Sequence, residues 1–150
     1  MTAEVNNQFS SEENSLVCIN LQMMRSSHYV LKVYDEAYRP YGIRATQMPV
    51  LGMVARRQPV TIRQIANDLE SERSAMSRKL QVMKKCGWVK EDKHTTGREK
   101  TFVLTKKGKN LVEKILPIRL QVQQRMMSVL SDEELSLLLS LCSKLKALSG

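Results

Sequence analysis

The 150-residue sequence predicts a mainly α-helical single domain that carries one small β-hairpin. Three observations indicate this class. Apolar residues recur every three or four positions over most of the chain, two short strand-like segments lie near its middle, and a polar stretch with one glycine joins them. A chain of this length can bury a core without the help of disulfides or metal.

The first helix is predicted from residue 15 to about residue 39, because Arg39 precedes Pro40 and further helix is disfavoured there. Its main apolar stripe consists of Leu16, Ile19, Met23, Val30, Val33, Tyr34, Ala37 and Tyr41. A second apolar face consists of Leu21, Met24 and Leu31. Because a helix that is apolar on two faces must be covered on both, we expect this helix to contact more than the core of its own chain.

The second helix is predicted from its flanking residues. Thr46 is a candidate N-cap and Pro49 fits the first turn, where a missing N–H costs little. Pro59 ends the helix, and Val60 can form a short extended piece.

Two short helices with a tight connection follow. Thr61 is predicted to cap the first, which runs to Leu69, and Ser71 is a candidate N-cap for the second, which runs to Cys86. Gly87 stands where a helix-ending residue in the left-handed conformation is expected. The second of these helices has an inward stripe of Met76, Leu80 and Met83.

The hairpin is predicted from strands at Trp88–Asp92 and Lys100–Leu104, with a basic connection over residues 93–99. Thr105 can cap the next helix, which we expect to kink or break at Pro117.

The last helix begins with a capping box, because Ser131 is followed three residues later by Glu134. It too is apolar nearly all round, with stripes of Leu135, Leu138, Leu139, Cys142 and Leu145 and of Leu137, Leu141 and Leu148.

The basic charge of the chain is confined to its centre. Residues 41–108 hold 15 Lys/Arg and 6 Asp/Glu, a net charge of +9, whereas the remaining residues hold nine of each sign. This layout is typical of a central module that meets a polyanion. A basic surface that serves only solubility is the alternative on charge alone.

The helix between Ser71 and Cys86 carries the candidate contact surface. If its apolar stripe faces the core, the opposite face holds Ser74, Arg78, Gln81 and Lys85, with Ala75 and Ser77 beside them. Arg and Gln can pair with base edges in the major groove, and Ser and Lys suit phosphate oxygens. An ordinary solvated helix face is the alternative, but the segregated charge and the basic hairpin favour a helix-turn-helix with a wing. Arg98 in the hairpin connection could then enter a minor groove.

Several motifs resemble the MarR (multiple antibiotic resistance regulator) family in combination and order. They are Leu69-Glu70-Ser71-Glu72-Arg73-Ser74-Ala75-Met76-Ser77-Arg78-Lys79-Leu80, Gly87-Trp88-Val89, Leu104-Thr105-Lys106-Lys107-Gly108 and, upstream, Tyr34-Asp35, Gly42-Ile43 and Thr46-Gln47. The resemblance covers roughly residues 15–148. It implies a homodimer that reads a pseudo-palindromic operator in double-stranded DNA, in which residues 15–40 and 106–148 pair the chains and residues 41–105 form the winged helix-turn-helix lobe.

The resemblance also implies roles for individual residues. Ser74, Ala75, Ser77 and Arg78 match groove-reading positions, and Arg98 matches the wing arginine, although Thr96 stands where the family commonly has an aspartate. Family members act as repressors that a small aromatic or phenolic ligand releases, which makes Arg25, His28, Tyr29 and Tyr34 candidate ligand contacts. The alternative is that Tyr34 is a core residue and that His28 or Arg25 makes interface hydrogen bonds. Others in the family sense oxidants, for which Cys18 is the candidate.

The remaining features exclude other classes. Cys18, Cys86 and Cys142 are too widely spaced for a disulfide framework or a zinc site, so we expect no metal and no cofactor. With two histidines and no recognisable Cys/His motif, an enzyme is not expected, and Cys86 and Cys142 are predicted to be packing residues. The chain lacks an apolar span and a signal peptide, which predicts a cytoplasmic protein without a membrane partner. A nonspecific, architectural DNA-binding protein stays open as an alternative function.

Overall fold

The computed structural model describes residues 18–93 and 99–149. In these ranges the helices are α1 (Ile19–Tyr38), α2 (Met48–Arg57), α3 (Ile62–Asp68), α4 (Arg73–Lys85), α5 (Lys106–Met127) and α6 (Asp132–Lys146), with 3-10 turns at Arg39–Tyr41 and Ala147–Ser149. The strands are β1 (Val60–Thr61), β2 (Val89–Glu91) and β3 (Thr101–Leu104). The predicted class, mainly α with a small β-hairpin, is confirmed.

The sheet is antiparallel with the strand order β1-β3-β2. β3 pairs with β2 through Val89 opposite Leu104, and with β1 through Val60 opposite Phe102. The short extended piece predicted at Val60 is thus the third strand, and it attaches the start of α3 to the hairpin.

The core lies between α2, α3, α4, the sheet and the first half of α5. The predicted inward stripe of α4 is confirmed, since Met76, Leu80 and Met83 are all fully buried. Their neighbours in the core include Tyr38, Val50, Leu51, Val54, Ile65, Trp88, Phe102, Leu111 and Ile115. Tyr38, the one described α1 residue that is fully buried, was not part of the predicted stripe.

Side-chain caps start three of the helices as predicted. Thr61 and Ser131 form complete capping boxes with Gln64 and Glu134, which satisfy backbone N–H groups that the first helical turn leaves free. The Thr105 hydroxyl accepts a hydrogen bond from the Gly108 N–H at 3.0 Å. These caps fix where α3, α5 and α6 begin.

Two predicted caps are wrong. α2 begins at Met48 without a side-chain cap, because the Gln47 amide oxygen accepts the Arg44 N–H at 2.8 Å and Thr46 lies exposed in the preceding turn. α4 begins after Glu72 rather than Ser71, whose hydroxyl donates back to the Leu69 carbonyl at 3.1 Å. The Ser71 hydroxyl thus bonds to a carbonyl of its own turn instead of accepting from the N-terminal N–H groups of α4.

Of the kink or break predicted at Pro117, the break does not occur. α5 continues through this residue to Met127, with Pro117 inside the helix. The proline is exposed, whereas Ile115 and Val122 on either side of it are buried. Burial of apolar side chains on both sides holds the helix together despite the missing N–H.

The first and last helices leave much of their apolar surface uncovered. On α1, Ile19 and Met24 are 64% and 61% exposed. On and after α6 the exposed apolar residues are Leu137, Leu138, Leu139, Leu141, Leu145 and Leu148. The predicted two-sided apolar character is therefore present in the structure. Among the described residues, no helix is both long and apolar enough to cross a lipid bilayer.

Candidate nucleic-acid interface

The connection between α3 and α4 is a tight turn. The Leu69 N–H donates to Ile65 O at 3.0 Å and the Ser71 N–H donates to Ala66 O at 2.9 Å, which closes the end of α3. Glu70 has a φ of 49°, an uncommon left-handed conformation for a residue with a side chain. A connection of four residues thus joins α3 to α4, as in a helix-turn-helix.

The buried stripe of α4 determines which residues face outward. Ser74, Arg78, Gln81 and Lys85 are all exposed on the side away from the core. Ala75 and Ser77 are half-buried at the edge of this face, and Ala75 packs against the core cluster. The structure thus brings six of the seven sequence-predicted DNA-contact residues onto or beside one surface of one helix; the seventh, Arg98, lies outside the described residues.

The start of α4 is suited to an anion. Its N-cap residue, Glu72, makes no capping hydrogen bond with its side chain, and the first turn holds no acidic residue. The free backbone N–H groups and the positive end of the helix dipole therefore remain available to a phosphate. Arg73 is exposed at the first helical position and adds a charge of the same sign.

The hairpin that follows α4 forms the predicted wing. The Asp92 N–H donates to Thr101 O at 2.8 Å, which extends the β2–β3 pairing toward the connecting residues. Thr96 and Arg98, with the rest of residues 94–98, lie outside the described residues. The wing is described on both sides of that gap, up to Lys93 and from Glu99 onward.

Ion pairs join the wing to both helices of the motif, and sequence reasoning missed them. Lys84 of α4 lies 2.7 Å from the Glu91 carboxylate, which also contacts Lys100 at 3.3 Å. Arg63 of α3 lies 3.7 Å from Glu99. Hydrogen bonds from Lys84 and Lys100 hold the pKa of Glu91 below its usual range. Of these pairs, only Lys100–Glu91 could have been predicted from the sequence, because both residues lie on the two strands of the predicted hairpin.

The base of the wing is closely packed against α5. The Thr105 hydroxyl donates to Gly87 O at 2.6 Å, and Gly87 has the expected left-handed φ of 75°. Gly108 lies so near the Trp88 backbone that a Cβ added there would come within 2.0 Å of the Trp88 carbonyl oxygen. This contact requires glycine and fixes α5 relative to the end of α4.

A cleft of about 610 Å³ lies between α1, α2 and α5. Tyr34 lines it, whereas the structure leaves the other three candidate ligand contacts, Arg25, His28 and Tyr29, exposed on α1 outside its lining. The remaining lining is mainly apolar, with polar groups from Tyr38, Arg56, Arg119 and Gln123. Burial raises the pKa of the Tyr38 phenol, with a further rise from Tyr34 and an opposing effect of Arg119. The phenol is therefore neutral at physiological pH and can donate a hydrogen bond.

The cysteines occupy three different environments. Cys18 is exposed at the N-cap of α1, and Cys86 is half-buried against the core, as expected of a packing residue. Cys142 is exposed on α6, so within a single chain it is not the packing residue that was predicted. Among the described residues, no group of three or more His, Cys, Asp or Glu side chains could hold a metal ion.

A short helix, a tight turn, a second helix with a polar outer face and a β-hairpin define a winged helix-turn-helix protein. Comparisons with known proteins agree with this class. Residues 41–98 match the model of the MarR family. The chain is 26% identical over 113 residues to YwoH, a helix-turn-helix-type transcriptional regulator of Bacillus subtilis, a match that covers 75% of this chain and 82% of the relative.

Solved structures show the same fold. The Mycobacterium tuberculosis transcriptional regulator MosR, in complex with DNA, superposes with a TM-score of 0.74 and 26% identity over 87% of this chain and 97% of that one. A mutant of MarR from Escherichia coli, complexed with operator DNA, has a TM-score of 0.79 and 20% identity, covering 91% of this chain and 99% of its own. These comparisons support a DNA-binding transcriptional regulator of the winged helix-turn-helix class that is similar to the MarR family.

Proposed function

We propose that the protein is a dimeric, sequence-specific DNA-binding regulator that inserts α4 of each chain into the major groove. The exposed face of Ser74, Arg78, Gln81 and Lys85, opposite a fully buried apolar stripe, is the observation that carries this proposal. Such a face has no role in the core of the chain, and its side chains suit nucleotides. The MosR and MarR neighbours were each solved with DNA, which supports the same partner for this chain.

The side chains on this face divide into two roles. Arg78 and Gln81 can form paired hydrogen bonds with base edges and would supply sequence specificity. Ser74, Lys85 and the N-terminal N–H groups of α4 suit phosphate oxygens and would set the register of the helix in the groove. Ala75 and Ser77 are small, which lets the helix backbone approach the bases.

A second copy of the chain is the proposed cover for the terminal helices. In a single chain the leucines of α6 and several apolar residues of α1 are exposed, and clustered exposed apolar side chains are typical of protein–protein interfaces. Pairing of these helices would bury them and place two α4 helices about one helical turn of DNA apart. The operator would then be pseudo-palindromic, because the two chains are related by a twofold axis.

We further propose that the protein represses transcription and that a small aromatic or phenolic ligand releases it from DNA. The cleft between α1, α2 and α5 supports this, since it combines an apolar lining with tyrosines and two arginines. α1 and α5 belong to the proposed dimer scaffold and α2 to the winged lobe. A ligand that fits the cleft better at one lobe spacing would shift the population toward that spacing and change operator affinity.

The decisive experiment compares two duplexes. The first is selected by the protein from a random-sequence pool, and the second is the same sequence scrambled. We expect the selected duplex to bind on the order of 10³-fold more tightly, with an affinity that falls steeply with salt. Equal affinity for both would overturn sequence-specific regulation and leave the nonspecific, architectural alternative.

Two additions to the same titration test the release step. Simple phenols should weaken binding to the selected duplex if the cleft is the effector site. Peroxide should do so only if Cys18 is a redox switch, and the Cys18→Ser variant should then be insensitive to it. A chain whose operator affinity changes with neither compound would not support a release mechanism of these kinds.

A further inference from the structure

Each strand of the wing has a glutamate beside the segment that joins them. Glu91 is the last residue of β2, and Glu99 precedes β3 by two residues. Both stand in the basic central part of the chain, close to the surface proposed to meet DNA. A carboxylate in that position repels phosphates, so its presence there needs another physical reason.

Glu91 connects the wing to the DNA-reading helix. Its carboxylate lies 2.7 Å from the Lys84 ammonium on the last turn of α4 and 3.3 Å from the Lys100 ammonium on the opposite side of the hairpin. The side chain of Glu91 is only 31% exposed, which limits the positions it can adopt. One carboxylate thus holds α4 and both arms of the wing together.

Glu99 connects the wing to the other helix of the motif. Its carboxylate lies 3.7 Å from the Arg63 guanidinium, which extends from the first turn of α3. Val60 and Thr61, just before α3, pair with β3 through Phe102 and Thr101. The backbone pairing of β1 with β3 thus ends at Thr61, and the Arg63–Glu99 ion pair adds a side-chain contact just beyond it.

We propose that Glu91 and Glu99 are positioning residues that fix the direction of the wing relative to α3 and α4, and thereby contribute to operator recognition. This inference rests on the proposed function. A single exposed ion pair contributes little to folding stability. Its effect here is instead on the orientation of the hairpin relative to α3 and α4, because each pair joins one of these helices to the hairpin.

The test uses charge-neutral variants. Glu91→Gln, Glu99→Gln and the double variant are titrated against the selected and the scrambled duplex, at two salt concentrations. We expect the double variant to bind the selected duplex five- to tenfold more weakly, and to bind the scrambled duplex equally or more tightly because it carries two more net positive charges. Glu113→Gln, an exposed change on α5, raises the charge by one and is the control.

A charge swap separates positioning from general electrostatics. Arg63→Glu combined with Glu99→Arg restores an ion pair with the wild-type net charge. It should recover most of the affinity lost by Arg63→Glu alone, and more than Arg63→Glu combined with Glu113→Arg, which has the same net charge without the pair. Thermal unfolding of each variant should match the wild type within a few degrees. The inference is wrong if both duplexes bind the glutamine variants more tightly, if those variants behave like Glu113→Gln, or if the swap recovers nothing.

These outcomes are distinct from a failure of the proposed function. If the wild-type protein does not discriminate between the two duplexes, sequence-specific regulation fails before the variants are measured. If it discriminates and the glutamine variants discriminate equally well, only the positioning role of Glu91 and Glu99 is lost.

Discussion

At the residue scale, base readout and phosphate contact can be separated on α4. Arg78→Ala should cost about 1–3 kcal/mol at the selected duplex and much less at the scrambled one, because it removes a paired contact to one base. Lys85→Ala should weaken binding to both duplexes alike and lower the salt dependence of binding by about one counterion. Fluorescence anisotropy titrations at several salt concentrations measure both effects. Equal losses on both duplexes for Arg78→Ala would remove its role in base reading.

Two helical glycines give opposite predictions for the same substitution. Gly108→Ala would place a Cβ 2.0 Å from the Trp88 carbonyl oxygen, and backbone cannot move away as a flexible side chain can. We expect it to lower the free energy of unfolding by about 1–3 kcal/mol or more. Gly52→Ala, in α2, meets nothing within 4 Å and should raise it by about 0.5–1 kcal/mol. Urea unfolding at fixed protein concentration measures both, and a similar effect of the two changes would contradict the close contact.

At the element scale, the sequence predicted most where one local rule acted alone. The spacing of Met76, Leu80 and Met83 oriented α4 correctly, and with it the outward face, because one buried stripe leaves only one opposite side. Thr61 and Ser131 were correct as caps because a Gln or Glu stands three residues later. Thr46 and Ser71 lack that partner, and other turn contacts decided where those helices begin.

The elements that sequence reasoning missed depend on distant contacts. Arg63 and Glu99 are 36 positions apart and meet only because β1 joins β3. Tyr38 is buried on a helix that packs against α5, and its position four residues after Tyr34 was the sequence signal that could have included it in the stripe. Pro117 was expected to kink or break its helix; the helix is not broken there, because Ile115 and Val122 are buried on either side of the proline.

The cap of α3 gives a matched prediction at this scale. Thr61→Ala removes both the hydroxyl acceptor for Gln64 N–H and the capping box, and it should lower the free energy of unfolding by about 1 kcal/mol. Thr46→Ala makes the same chemical change at an exposed residue that caps no helix, and should stay within about 0.5 kcal/mol of the wild type. Equilibrium urea unfolding followed by circular dichroism measures the difference. Equal effects would mean that the Thr61 cap contributes nothing to stability.

At the scale of the whole molecule, the chain has two kinds of exposed surface, one basic and one apolar. The centre has a compact core and a basic outer face, whereas α1 and α6 present apolar side chains that the core of the same chain does not cover. The sequence indicated this through helices that are apolar on two faces, and a single chain cannot show what occupies the second face. Cys142 is an example: it was predicted to be a packing residue, and in one chain it is exposed on a helix whose leucines are exposed as well.

The proposed dimer predicts that an added negative charge on α6 weakens dimerisation, whereas the same charge on α4 does not. Leu138 and Val82 are each 45% exposed, so they are matched by exposure in the monomer. Leu138→Asp would bury an unpaired carboxylate at the dimer interface and should weaken the dimer by roughly tenfold or more, whereas Val82→Asp should leave it intact. Sedimentation equilibrium measures this, with a wild-type mass expected at twice the 17.2 kDa of the chain.

Loss of the dimer should also lower the affinity for DNA. Binding through two linked lobes raises affinity well above that of one lobe, so Leu138→Asp should bind the selected duplex more weakly while a half-site duplex is bound as by the wild type. Val82→Asp should give the opposite pattern. A carboxylate on α4 should weaken binding to both duplexes through charge repulsion, while the protein stays a dimer. A wild-type chain that sediments at 17.2 kDa at concentrations where it binds the selected duplex would overturn the dimer, and the exposed leucines of α6 would then need a different partner.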